Sequence, residues 1–131
     1  MSIQHWINQH AATTPDKAAI HFVQDGHTRT LTYADLEHSI ELTVQRFKRL
    51  GLEKGDRIAW YGMNNPEMLI LLFASARCEL ILVPLNWRLA LPEVTFIVQD
   101  CAPRIVFFDK HFAGNISELV AASPACQGVS I

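Results

Sequence analysis

The sequence predicts an α/β fold: a partial doubly wound parallel sheet preceded by an N-terminal helix and hairpin. From residue 56 onward, short apolar runs alternate with helical segments over short connections, which is typical of a parallel sheet. An amphipathic pattern over residues 33–50 indicates a long helix before that sheet. The turn signal Asp25-Gly26 indicates a hairpin earlier in the chain.

Residues 1–32 are predicted to form the helix and the hairpin. Apolar side chains recur at helical spacing over residues 2–12, and Ser2 is a candidate N-cap. Residues 18–23 and 28–32 have the composition of two short strands on either side of the turn.

The helix over residues 33–50 carries the clearest local signals. Thr32 and Asp35 have the spacing of a capping box, with Asp in place of the usual Glu. Gly51 supplies the C-terminal stop. The apolar stripe comprises Leu36, Ile40, Val44, Phe47 and Leu50.

Residues 33–110 are predicted to form a βαβ core. Its later elements are a strand at 57–61, a buried helix at 66–78, a strand at 80–83 covered on both faces and ended by Pro84, a helix from Pro92 to about Asp100, and a strand at 105–108. A last helix is predicted at 115–122, within an uncertain tail of residues 111–131.

Composition limits the functions that the chain can have. Of its 131 residues, 50% are hydrophobic and 18% are charged, and the net charge is -2. This balance supports the packed core of one domain, and the absence of a basic stripe argues against nucleic acid as a partner. No apolar run reaches the roughly 20 residues of a membrane helix, and the first residues lack a secretory pattern. The chain has three cysteines, an odd number, and they are widely spaced. This favours reduced thiols and a cytoplasmic location.

No residue pattern predicts a catalytic, cofactor-binding or metal site within residues 1–131. The six glycines lie too far apart to form a phosphate-binding loop. The six histidines lack the spacing of a helical metal pair, so surface and hairpin positions are expected for them. Glu37 and Glu41 lie one helical turn apart, but a solvated helix face is the expected interpretation. The aromatic residues expected to anchor the core or loops are Trp60, Trp87 and Phe107.

Four stretches occur in an order that points to a known family. They are Thr14–Ile20, Leu31–Leu36, Gly51–Ala59 and Ala76–Leu89, and the pattern continues at Pro92-Glu93 and Asp100–Phe107. Together they resemble the N-terminal part of the adenylate-forming (AMP-binding) superfamily over about residues 1–110. The segment Val83–Leu89, with the sequence VPLNWRL, is more similar to acyl-CoA ligases than to peptide synthetases.

The resemblance implies an acyl-CoA synthetase of the fatty-acid type. Such an enzyme joins a carboxylate to CoA with ATP through an acyl-adenylate, which implies ATP, Mg and CoA for the full-length family. Fatty acids, carnitine or aryl acids are the implied substrate class. The family's phosphate loop and catalytic lysine match no position here, so no cofactor is expected to bind this segment. Residues 1–131 are therefore expected to form an incomplete AMP-binding domain that is inactive alone.

The chain departs from the family pattern at two places. Cys78-Glu79 stands where the family commonly has Gly-Ala, and Glu79 is expected to turn outward and strain the turn. Ala90-Leu91 stands where a capping Ser or Thr is common, so a frayed start is expected for the helix at Pro92.

Two other hypotheses for the function of this chain stay open at this point. The chain can be a stand-alone, non-enzymatic α/β module that binds a partner subunit, or a small independent α/β enzyme. The first of these is compatible with the predicted core, whereas the second lacks a convergent nucleophile, base or metal cluster. The remainder of a synthetase and a second copy of the chain are the protein partners that the sequence leaves open.

Overall fold

The computed structural model describes residues 2–131, which fall into two compact units. Of the described residues, the first unit comprises 2–51 and Asn65–Cys78, and the second comprises Leu52–Asn64 and Glu79–Ile131. In chain order the elements are α1 (Trp6–Thr13), β1 (Ala18–Gln24), β2 (His27–Thr32), α2 (Tyr33–Arg49), β3 (Arg57–Tyr61), α3 (Pro66–Arg77), β4 (Ile81–Leu85), α4 (Leu91–Cys101), β5 (Ile105–Phe108), α5 (Ala113–Ala121) and β6 (Gln127–Ser130).

The start of the first unit is a short 3-10 turn, Ile3–His5, followed by α1. Ser2 caps that turn, because its hydroxyl accepts a hydrogen bond from the Gln4 N–H at 3.4 Å. The predicted hairpin is confirmed: β1 and β2 pair antiparallel up to Gln24 and His27. The two residues between them, Asp25 and Gly26, have φ angles of 52° and 76°, which suits a type I′ turn.

The capping box of α2 is present as predicted. The Thr32 hydroxyl accepts from the Asp35 N–H at 3.1 Å, and the Asp35 carboxylate accepts from the Thr32 N–H at 2.9 Å. Gly51 follows the helix with φ 71°, a conformation that glycine adopts at little steric cost. The buried apolar side chains of the first unit are Ile7, Leu31, Leu36, Ile40, Phe47, Ile70, Leu71 and Ala74.

The expectation that Glu37 and Glu41 share a solvated face is wrong for Glu37. Arg77 at the end of α3 donates to the Glu37 carboxylate at 2.8 Å and to the Gln4 carbonyl at 3.2 Å. The Arg77 and Glu37 side chains are only 18% and 15% exposed. Glu41, one turn further along α2, is exposed.

Helix α3 begins at the predicted start signal, with the Asn65 side chain accepting from the Met68 N–H at 3.2 Å. The prediction that this helix is buried holds for one side only, since Leu69 is 39% exposed. The helix packs against α2 within the first unit and buries one side most deeply. Apolar residues around the whole helix therefore do not mean that every side of it is buried.

The second unit contains a four-stranded sheet in the order β4-β3-β5-β6. Every neighbouring pair is parallel, which confirms the α/β class with a parallel sheet. The tail that the sequence left uncertain supplies α5 and β6, and Gln127 in β6 lies opposite Ile105 in β5. Helices α4 and α5 contribute to the core on one face of the sheet, with the buried members Ala59, Tyr61, Leu85, Val94, Val98, Val106, Ile116 and Leu119.

Strand β4 corrects two expectations. It continues through Pro84 to Leu85, and Ile81 is 51% exposed, so the strand is neither ended by Pro84 nor covered on both faces. The physical reason is that β4 lies at the edge of the four-stranded sheet, where proline is tolerated because one side of the strand makes no ladder hydrogen bonds.

The two departures from the family pattern have distinct structural outcomes. Glu79 turns outward as expected and pairs with Lys54 at 2.8 Å. Its φ is 53°, whereas Cys78 has φ -92°, so the position that favours glycine is Glu79 and not Cys78. Helix α4 begins at Leu91, one residue before Pro92, and the Glu93 carboxylate accepts from the Ala90 N–H at 2.9 Å. This contact supplies half of a capping box where Ser or Thr is missing.

Candidate functional site

The carboxyl edge of the sheet is the candidate site of the second unit. Strands β4 and β5 lie on opposite sides of β3, so consecutive connections lead to opposite sides of the strand. Such a topological switch point leaves a crevice beyond the carboxyl ends of the strands, and open α/β sheets bind ligands there. The carboxyl ends of β3 and β5 are therefore the first place to look for function.

Gly62 and Asp109 directly follow β3 and β5 at this edge. The Asp109 N–H donates to the carbonyl of Tyr61 at 3.1 Å, which holds the two chain segments together. A Cβ added to Gly62 would lie 2.4 Å from the Trp60 side chain and 3.0 Å from the Asp109 Cβ. The position accepts no side chain unless the indole moves.

Asp109 places a carboxylate at the switch point. Its Oδ1 accepts from the His111 N–H at 3.1 Å and lies 2.7 Å from Nδ1 of the same residue. Burial alone would raise the pKa of Asp109, but the hydrogen bonds from His111 and the charges of His111 and Lys110 hold that pKa below its usual value. The Asp109 carboxyl group is therefore ionised at neutral pH.

A series of ring contacts borders the same edge. The Tyr61 and Phe112 rings lie 5.0 Å apart, the Phe112 and Trp87 rings 5.8 Å apart, and the Arg88 guanidinium lies 4.5 Å from the Trp87 ring centroid. The amide of Asn115 donates to the Tyr61 hydroxyl at 3.1 Å. Trp87 thus anchors its loop, as predicted, and the contacts hold the loops after β4 and β5 together.

Trp60 has an indole N–H without a hydrogen-bond partner, although the residue is only 1% exposed. A buried donor of this kind costs about 1–3 kcal/mol if it stays unpaired. The contact between its ring and Gly62 places Trp60 beside the switch point. It is the one unpaired buried donor near this edge among residues 2–131.

The thiols give no sign of nucleophilic chemistry. Burial raises the pKa of all three thiols, Cys78, Cys101 and Cys126, which lowers their thiolate fraction at neutral pH. The histidines are all exposed, as predicted. Within the described residues, no group of three or more His, Cys, Asp or Glu side chains is arranged to hold a metal ion. No helix of residues 2–131 is long and apolar enough to cross a membrane.

The described residues at the carboxyl edge include no glycine-rich loop of the phosphate-binding kind. The carboxylate of Asp109 would repel phosphate oxygens at the switch point, whereas Lys110 beside it and the Arg88 guanidinium would attract them. The glycines with positive φ, Gly26, Gly51 and Gly55, lie in separate turns and not in one loop. No chemical step involving ATP is assigned to these residues.

Comparison with known proteins decides the family. The family model described as AMP-binding enzyme matches residues 7–130. The chain belongs to the AMP-binding enzyme family. This agrees with the resemblance carried by the four sequence stretches and with the α/β architecture.

Relatives of this AMP-binding chain include several CoA ligases. Indoleacetate–CoA ligase of Aromatoleum aromaticum is 39% identical over 116 residues, which are 88% of this chain and 22% of the relative. Long-chain-fatty-acid–CoA ligase FadD13 of Mycobacterium tuberculosis is 31% identical over 115 residues, which are 88% of this chain and 22% of the relative. The chain thus spans about a fifth of the length of these curated relatives.

Solved structures agree with the sequence relatives. The N-terminal domain of FACL13 from Mycobacterium tuberculosis matches with a TM-score of 0.84 and 27% identity, covering 98% of this chain and 33% of that one. A Mycobacterium tuberculosis fatty acyl CoA synthetase matches with a TM-score of 0.85 and 27% identity, covering 99% of this chain and 26% of that one. The AMP-binding chain therefore has the fold found in an N-terminal domain of this family.

The sequence analysis predicted no site residue, so it did not identify Gly62 and Asp109 at the carboxyl edge of the sheet. Gly62 and Asp109 each follow a predicted strand almost directly, and strands of a parallel sheet end at the same edge. That placement was a usable signal for where they would meet. The hydrogen bonds that lower the Asp109 pKa had no such signal, because they depend on the turn that follows β5.

Proposed function

We propose that this chain forms the N-terminal part of a carboxylate–CoA ligase of the fatty-acid type. The reaction of the whole enzyme would convert a carboxylate, ATP and CoA into acyl-CoA, AMP and pyrophosphate through an acyl-adenylate, with Mg as the metal. The observation that supports this proposal most is the 39% identity to indoleacetate–CoA ligase over 88% of the chain. The match to FadD13 supports a fatty acid as the substrate.

The part played by these residues is structural in this proposal. Residues 1–131 would be an incomplete AMP-binding domain, with 1–32 as a helix and hairpin, 33–110 as the βαβ core and 111–131 as the tail that contains α5 and β6. Catalytic, nucleotide-binding and metal-binding residues would come from elsewhere in the enzyme. A cytoplasmic location belongs to the same proposal, because the cysteines are free thiols.

A chimaeric enzyme tests the proposal. The segment of indoleacetate–CoA ligase that matches this chain would be replaced by the chain, and pyrophosphate release would be measured with ATP, Mg and CoA. Fatty acids of several lengths, indoleacetate and ferulate would be compared as substrates. Acid-dependent pyrophosphate release is the expected result.

A matched control makes a negative result informative. The corresponding segment of FadD13 would be placed in the same enzyme, since it is also a relative of this chain. If that control is active while a folded, monodisperse chimaera with this chain releases no pyrophosphate, the proposed function is contradicted. Such a result would favour a non-enzymatic module that binds a partner.

A further inference from the structure

We draw no further inference here: the strongest candidate, the unpartnered indole N–H of Trp60 beside Gly62 and Asp109 at the carboxyl end of β3, belongs to the candidate site already described, and nothing in the structure shows which chemical group would reach it.

Discussion

Removing the carboxylate of Glu37 should destabilise the protein far more than an exposed charge change would. Glu37 and Arg77 form two hydrogen bonds, one of them 2.8 Å long, and both side chains are more than four-fifths buried. In Glu37→Gln the guanidinium would keep only the Gln4 carbonyl and a neutral amide as partners. Loss of one partner of a buried ion pair costs about 3–5 kcal/mol, and the remaining exposure favours the lower end, about 3 kcal/mol.

A loss of this size is easy to measure. Domains are stable by only about 5–15 kcal/mol, and for a chain of this length 3 kcal/mol corresponds to a fall in Tm of roughly 10 °C. Urea unfolding followed by far-UV circular dichroism would give the free energy of unfolding. Glu41→Gln is the matched control, because Glu41 lies one turn along the same helix and is exposed. Its expected effect is below about 0.5 kcal/mol.

A double variant separates the buried charge from simple loss of packing. In Glu37→Met with Arg77→Met, both charges are absent, so no unpaired buried charge remains. Apolar replacements of buried ion pairs are often neutral, and we expect the double variant to regain most of the stability lost in Glu37→Gln. The reasoning is refuted if Glu37→Gln loses no more stability than Glu41→Gln, or if the double variant is less stable than Glu37→Gln.

Three further predictions concern the second unit. Glu79→Gly should stabilise the protein by about 0.5–1 kcal/mol, because relief of the strained left-handed backbone at this residue outweighs the extra freedom of glycine in the unfolded chain. The control Glu79→Gln keeps the strain and should show no gain in Tm. Gly62→Ala should lower Tm by several degrees, because the new Cβ would lie 2.4 Å from the Trp60 ring. Gly114→Ala is the control: its new Cβ would meet nothing within 4 Å, and its Tm should not fall. Asp109 has a lowered pKa in the folded state, so its contribution to stability is present above the unfolded value of about 3.9 and is lost as pH falls through the lower folded value. Urea unfolding from pH 6 to pH 2.5 should show a shallower acid loss for Asp109→Asn, and an unchanged slope would count against the contacts described for this carboxylate.

Local signals in the sequence were sufficient for several elements of the fold. The capping box at Thr32 and Asp35, the turn at Asp25-Gly26 and the stop at Gly51 each depend on neighbouring residues, and all three are present. Such features are encoded within a few residues, so they can be predicted without knowledge of the tertiary structure.

Features that depend on distant residues were not predictable in the same way. The pair between Glu37 and Arg77 joins residues 40 positions apart, so helical periodicity placed Glu37 on the polar face of α2 without its partner. Pro84 by itself indicates a strand end, and its tolerance within β4 depends on the edge position of that strand, which only the strand order shows. Strand β6 lacks alternation of polar and apolar residues and exists through its pairing with β5.

The candidate site shows the same division. The positions of Gly62 and Asp109 at the sheet edge follow from the predicted strand ends, although the approach of Gly62 to the Trp60 ring does not. The absence of phosphate-loop spacing was visible in the sequence, because the glycines can be counted directly.

Pyrophosphate release by the purified chain itself tests the central claim most directly, namely that residues 1–131 provide scaffold and not chemistry. The chain would be incubated with ATP, Mg, CoA and fatty acids, indoleacetate or ferulate, and its Tm would be recorded with and without ATP. We expect no release above the blank and no ATP-dependent shift in Tm. Acid-dependent turnover, or an ATP-dependent rise in Tm that Asp109→Asn alters, would contradict the account.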